Sequence, residues 1–499
     1  MNRRYTSFFF FLIAVLLALV LVPAGSAGEY SHARIVRLSY VSGDVQISSG
    51  ADAGWQKAIV NTPLREGMSL ATTDGHAEVE FENGATARIS NNTVLQFLEL
   101  ALEDGAKRTR LAVTQGTATI YSKPGQHEVF VVEGGKLSLR VSGDSRFRLD
   151  VFDDGSSVSV LKGRLDVTAA GNLQSVGKGQ TLATRTEPAA RVAVERNPAP
   201  DAWDKWVSQR DDAMIAGRNN SLAYSNSPVS YGLADLSYYG SWTNCGIGNC
   251  WQPYGMGPGW SPFMAGVWTN TPGFGLTWTS FEPWGWLPYH YGRWTFFPGT
   301  GWLWMPGYFN SWSPATVYWV RTNNQVGWVP LAPNDKPGVT PANMSAGLVT
   351  TSSTGLVSGA PNTLGSLTPG TNPRFTMDPR QDPELLRSAQ QLRTTPGTTV
   401  VASGTTGVSG TAGLKPAQHM GSGHMATKTI SSTGFPHPPT SFANSRSSVG
   451  SRGSLGSSSA GSSSGVSRTS SSGAPQPAPH SSGSSSPAPK GSSTSPKPH

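Results

Sequence analysis

Between residues 34 and 186 apolar and polar positions alternate in short runs separated by turn residues. Glu78-Val79-Glu80-Phe81-Glu82 is the clearest case: period two sends Val79 and Phe81 to a core and the three glutamates to water. Asn83-Gly84 then supplies a type I′ turn, and Ala85 to Ile89 returns with Arg88 able to face a glutamate across the pair. The pattern recurs at Leu111-Ala112-Val113, Thr117 to Tyr121, Val129 to Val132, Leu137 to Val141, Phe147 to Val151, Val158 to Val160 and Leu165 to Val167. Gly116, Gly134-Gly135, Gly143, Asp153-Asp154-Gly155 and Gly163 mark the turns. Many short strands at this spacing predict an all-β sandwich or short β-roll over 34–186.

The period then changes. Pro200-Asp201 is a helix start signal, and Trp203, Trp206, Val207, Met214 and Ile215 fall near one face at helical spacing. This predicts a linker helix within 198–217 that docks its tryptophans on a β domain. A polar, turn-rich stretch follows at 219–237.

From 238 to 333 the pattern becomes a repeat. Gly259-Trp260-Ser261-Pro262-Phe263 leads to Gly266 and Trp268, and Gly285-Trp286-Leu287-Pro288-Tyr289 leads to Gly292 and Trp294. Weaker copies stand at Gly301-Trp302 and Gly327-Trp328. Trp242, Trp268 and Trp294 are 26 residues apart, as are Trp260, Trp286 and Trp312. Such a period predicts one supersecondary unit per copy, stacked because none can bury its apolar face alone. Gly and Pro every few residues exclude long helices, so each unit is a β-hairpin or strand pair. This stretch holds 13 of the chain's 16 tryptophans, with Glu282, Arg293 and Arg321 as its only fixed charges. Two readings of the rings stand side by side: they are the core of a loop-rich fold, or some lie on the surface as stacking platforms.

Past Pro333 the periodicity disappears into Ser, Gly, Thr and Pro, and the composition predicts a disordered tail over 334–499. One helical stub is expected at 383–393. The formal charge of +8 resides there, since residues 334–499 carry 12 Lys or Arg against 4 Asp or Glu. The folded part is neutral overall, which excludes a basic nucleic-acid binder. Arg3 and Arg4, the apolar run 8–22 and Pro23-Ala24-Gly25-Ser26-Ala27 form a three-part secretory leader over 1–27. Export to the periplasm or beyond follows, and the membrane is touched only if that leader stays uncleaved. In an exported chain, Cys245 and Cys250 predict a disulfide-closed turn rather than a metal or redox pair.

The turns and strands from Asp74-Gly75 through Asn83-Gly84, Asn92-Thr93, Phe130-Val131-Val132, Ser142 to Leu149, and Val158 to Gly163 resemble the FecR-like domain of bacterial envelope proteins. In the best-known members that domain is the periplasmic half of a transmembrane regulator. Only seven residues precede the apolar run here, so the resemblance implies the fold and the envelope location and not the regulatory activity. The Trp-rich part, with Glu282 to Trp294 and Val326 to Pro333, is similar to an uncharacterised domain that accompanies FecR-like domains in exported bacterial proteins.

Chemistry is sparse. His290, flanked by Tyr289 and Tyr291 near Glu282, could act as an acid or base beside an aromatic sugar platform. A glycosidase needs two carboxylates, however, and Glu282 is the one acid between residues 240 and 333. The ordinary alternative is that Glu282 accepts a hydrogen bond from Arg293 or His290 and orders turns in the repeat. No His or Cys cluster has zinc spacing, Gly246-Ile247-Gly248 lacks the flanks of a dinucleotide loop, and Asp150, Asp153 and Asp154 suit a hairpin turn, so neither metal nor cofactor is expected. The resulting expectation is a non-enzymatic envelope protein that binds a cell-envelope glycan or protein. Trp284, Trp286, Tyr289, His290, Trp294, Trp304 and Glu282 are the ligand-binding candidates. A glycan-processing enzyme centred on Glu282 and His290, and an envelope signal-sensing component, are the alternatives.

Overall fold

The computed structural model describes residues 34–50, 53–185, 191–246, 248–307, 312–322, 325–352, 363–367 and 372–394. The leader at 1–27 and the Ser-rich residues 395–499 lie outside the described residues. The fold is mostly β.

Residues 36–196 form one 15-stranded sheet that folds over itself. Val36–Ser48 pairs with Ser69–Glu80, which turns through Asn83-Gly84 into Thr86–Ile89. The 17-residue strand Ala106–Ser122 is the hub: it pairs with Val94–Glu103, Thr86–Ile89 and Ser145–Phe152, and runs parallel to Val129–Gly134. Strict alternation does the packing. Phe147, Leu149 and Val151 of one strand point inward and meet Val79, Ile120, Val132, Val160 and Leu182 in a single apolar core.

One expectation fails here. Glu78 and Glu80 do not face water; they are 0% and 4% exposed. Alternation does place them on the face opposite Val79, but that face is covered by the chain's own later segments.

The covering begins with α1, Ala202–Ser225, which starts on a capping box between Asp201 and Asp204 and runs beyond the predicted 217. Trp203 docks on the first sheet, its indole N–H donating to Thr119 Oγ1 (2.9 Å) and its ring stacking on Trp206. The docking face differs from the prediction: Ile215 is exposed, and the buried positions further along are Arg210, Gly217, Ser221 and Ser225. Small residues permit a close second contact, since a Cβ on Gly217 would lie 2.9 Å from the Ala234 carbonyl oxygen. Ala234 belongs to α2, Leu233–Tyr239, a helix in the stretch expected to be polar and turn-rich. Leu233 and Leu236 are buried there, and they bring α2 into the Trp-rich core.

The repeat is a set of four hairpins, each with two tryptophans directly opposite one another. Trp242 faces Trp251, Trp268 faces Trp278, Trp294 faces Trp304, and Trp319 faces Trp328. Glycine makes room for them. A Cβ on Gly240 would come within 2.3 Å of the Trp251 ring, and one on Gly266 within 2.5 Å of the Trp278 ring. The five-residue α3, Trp286–His290, sits between the second and third hairpins.

Ordered structure does not stop at Pro333. Val349–Ser352 pairs with Gln325–Pro330, and Arg374–Thr376 with Val317–Arg321, so the last hairpin becomes the centre of a five-stranded sheet. After α4, Met344–Gly347, the chain reaches α5, Pro383–Thr394, where a helical stub was expected. Leu385 of α5 enters the aromatic core, and Arg321 pairs with Asp382 at 2.8 Å. These segments are stabilised by edge pairing and a few anchors, which composition does not reveal.

Candidate functional site

The aromatic residues expected to bind ligand are interior. Trp284, Trp286, Tyr289, His290, Trp294 and Trp304 are all buried, and the five aromatic side chains among them belong to one cluster with Phe263, Trp278 and Trp328. Their rings meet each other edge-on or tilted. Trp284 and Trp251 are 5.1 Å apart, and Trp284 and Tyr289 are 5.4 Å apart. Several indoles spend their N–H internally: Trp294 donates to the Pro288 carbonyl, Trp304 to Tyr291 and Trp251 to Leu236. The platform reading of these rings is thereby corrected. Packed between the hairpins, the rings of Trp284, Trp286, Trp294 and Trp304 have no open face.

Glu282 and His290 are held by different partners. The Glu282 carboxylate accepts from Tyr289 Oη, from Trp260 Nε1 (2.9 Å) and from Ser280 Oγ (3.2 Å). Neither Arg293 nor His290 takes the part expected of it. Burial raises the Glu282 carboxyl to about 7, against the pull of those three donors. His290 hydrogen-bonds through Nδ1 to the Ser313 carbonyl (2.8 Å), with its ring stacked on Trp312 and edge-on to Trp286. Burial lowers it to about 4, so it is neutral at pH 7. A raised acid and a neutral imidazole are the components of acid–base chemistry, but no hydrogen bond joins these two. Both groups are committed to internal bonds.

Charge is concentrated elsewhere, in a buried seam between the first sheet, α1 and α2. Arg37 reaches Glu80 (2.6 Å) and Asp235 of α2 (2.7 Å), and its guanidinium lies 5.8 Å from the Trp286 ring centroid. Its Nη1 also donates to Asn61 Oδ1 (3.3 Å), and Asn61 Nδ2 donates to the Glu282 carbonyl (2.8 Å). Glu78 is clamped by Arg88 (2.7 Å) and by Arg210 of α1 (2.9 Å). Asp211 bridges Arg88 and Arg146, and Arg148 holds Asp201 at the start of α1.

The two glutamates respond differently to this setting. Burial opposes ionisation of Glu78, but Arg210 and Arg88 together overcome it and hold the carboxyl well below the usual carboxylate range. For Glu80 burial prevails: its carboxyl is raised, with Asp235 and Glu78 adding repulsion that Arg37 only partly offsets. Sequence reasoning saw Arg88 opposite a glutamate and missed the rest. The alternating charges Arg37, Glu78, Glu80 and Arg88 were a signal of one polar face, with no indication of what covers it.

Among the described residues no helix is long and apolar enough to cross a membrane, and no group of three or more His, Cys, Asp or Glu is placed to hold a metal ion. Cys245 and Cys250 form a disulfide with Cα atoms 5.9 Å apart.

Comparison with known proteins finds two family models that match parts of the chain. Residues 69–166 match the family model described as FecR protein, and residues 233–335 match DUF6600, described as a family of unknown function. No curated protein matches the chain. Among solved structures, it is similar to two crystal structures of a protein from Parabacteroides distasonis ATCC 8503 that is provisionally assigned as an anti-sigma factor. Identity is 15% in both, with TM-scores of 0.24 and 0.23 over 30% and 29% of this chain. The matches span 64% and 62% of those chains, less than two thirds of their length.

Proposed function

We propose, from a chain that carries a FecR domain at 69–166 and a DUF6600 domain at 233–335, that it is an exported, non-enzymatic protein of the bacterial envelope. Its two β domains, fastened by the charge seam, serve as a scaffold that binds an envelope component, with a cell-wall or extracellular glycan as the favoured class. The observation that carries this reading is the commitment of Glu282 to Tyr289, Trp260 and Ser280, which leaves the one acid between residues 240 and 333 no substrate-facing role. Envelope sensing is the second reading. It is favoured by the seam itself, because Glu78 and Arg37 tie α1 and α2 to the FecR sheet, so that displacement of either helix is felt in both domains.

The test is co-sedimentation of the full chain with peptidoglycan and insoluble polysaccharides, with released reducing ends assayed in the same tubes. Retention on an envelope polymer without reducing ends supports the scaffold. Reducing ends that disappear in Glu282→Gln overturn the non-enzymatic reading, and lack of retention on every polymer overturns the glycan.

A further inference from the structure

With the aromatic interior closed, we infer that the DUF6600 side of the molecule binds a neutral sugar chain at its rim, in a groove where the end of α1 meets the disulfide-closed turn. This inference rests on the scaffold reading and deepens it by naming the site and the ligand class. Tyr224 and Asn226 from the helix end, Asn249 with the Cys245–Cys250 disulfide from the turn, and Met305 from the third hairpin line a groove of about 340 Å³. That volume is near the lower end of small-ligand sites, roughly 300–1,000 Å³.

The chemistry of the lining selects the ligand. Tyr224 is 46% exposed and stacks on Trp242 with ring centroids 5.6 Å apart and planes within 10°. Trp242 thus backs the half-exposed ring of Tyr224, a residue that lines the groove, making a rigid aromatic surface suited to the apolar face of a pyranose ring. Beside it are two primary amides. Asn226 caps α1 in the left-handed region (φ 46°), which asparagine tolerates better than most residues. Asn249 Nδ2 donates to the Tyr224 carbonyl (3.1 Å), which fixes the turn against the helix while its Oδ1 remains an acceptor.

Charge decides the remaining question. The lining of the groove includes no Lys, Arg, His, Asp or Glu. The last turn of α1 carries no basic side chain, so the negative end of a 24-residue helix is uncompensated at the groove. Its terminal carbonyls, of which that of Tyr224 already accepts from Asn249 Nδ2, are acceptors that favour hydroxyl donors over anions. A ligand with an apolar ring face, several hydroxyl donors and no negative charge satisfies all three features, which describes a neutral hexose or N-acetylhexosamine oligomer. Polyuronates and phosphate-bearing polymers are disfavoured on the same ground.

The full chain is titrated calorimetrically with the tetrasaccharides of cellulose, chitin and amylose, and with tetragalacturonate as the anionic comparison. The expected result is saturable binding of at least one neutral tetrasaccharide, weakened roughly tenfold or more by Tyr224→Ala and retained by Tyr224→Phe. Asn226→Gly, which keeps the backbone conformation and loses the amide, weakens it about fivefold. Tyr254→Ala removes another exposed ring outside the groove and leaves binding unchanged. Wild-type affinity in Tyr224→Ala overturns the proposal, as does tetragalacturonate binding as tightly as the neutral chains, or no neutral tetrasaccharide binding. Polymer retention that survives Tyr224→Ala overturns this site alone and leaves the scaffold standing; loss of all retention in the wild type removes both.

Discussion

Arg37 and Asp235 are 198 positions apart in the chain, yet Arg37 Nη2 lies 2.7 Å from Asp235 Oδ2 with both side chains almost wholly buried. One belongs to the first strand of the FecR sheet and the other to the helix that opens the DUF6600 domain. A desolvated pair of this kind adds little net stability by being present, but losing one partner strands the other in a dry site.

Arg37→Leu therefore leaves Glu80 and Asp235 buried together without their cation. The expected loss is about 3–5 kcal/mol in urea unfolding. Lys162→Ala breaks the exposed pair with Asp144, and its expected cost is below about 1 kcal/mol. Equal losses in the two variants would contradict the role given to the seam.

Glu282 and His290 contribute opposite slopes to the pH dependence of stability. Glu282 stands at about 7, above its ordinary 4.5, so the folded protein keeps a proton that the unfolded chain has released. Its contribution is fully present below pH 4.5 and is lost as pH rises through 7. His290 stands at about 4, below its ordinary 6.5, so its contribution is present above pH 6.5 and is lost as pH falls through 4. Between pH 4.5 and 6.5 the two slopes oppose. Glu282→Gln unmasks the histidine, and urea midpoints should rise from pH 4 to 6.5. His290→Gln unmasks the glutamate, and they should fall from pH 4.5 to 7. Each change is on the order of 2–3 kcal/mol over its window.

The glycines of the hairpins can be tested one at a time. A Cβ on Gly266 would lie 2.5 Å from both the Trp278 ring and the Thr279 carbonyl oxygen, and neither can retreat. Gly266→Ala should cost about 2 kcal/mol or more by overpacking. Gly257, with nothing within 4 Å of its added Cβ, should accept alanine within about 0.5 kcal/mol. Chemical denaturation of the two variants side by side measures the difference.

How much of this was legible depended on whether a pattern carries its own partner. The 26-residue spacing of the tryptophans did, because each unit is a hairpin whose opposed rings, such as Trp294 and Trp304, recur with it. The strand alternation of Ser145–Phe152 did too, its inward residues forming the core. Glu78 and Glu80 did not: period two assigns them a face, and the identity of the cover is settled 132 residues later by Arg210. The segments past Pro333 were missed since Val349–Ser352 and Arg374–Thr376 are strands only by virtue of the edges they pair with. Ring counting could not separate interior from platform, because burial of Trp284 and Trp286 arises from hairpins meeting in space. Tyr224 fell in a stretch read as polar and turn-rich, and its stacking partner Trp242 is 18 residues further on.

The most direct test of the whole account is hydrogen exchange on the full chain with and without a saturating bound envelope glycan. The account predicts new protection at 224–226 and 248–250, with exchange at 282–294 unchanged. Protection centred on 282–294 would contradict it, because it would put the ligand inside the aromatic domain beside Glu282 and His290.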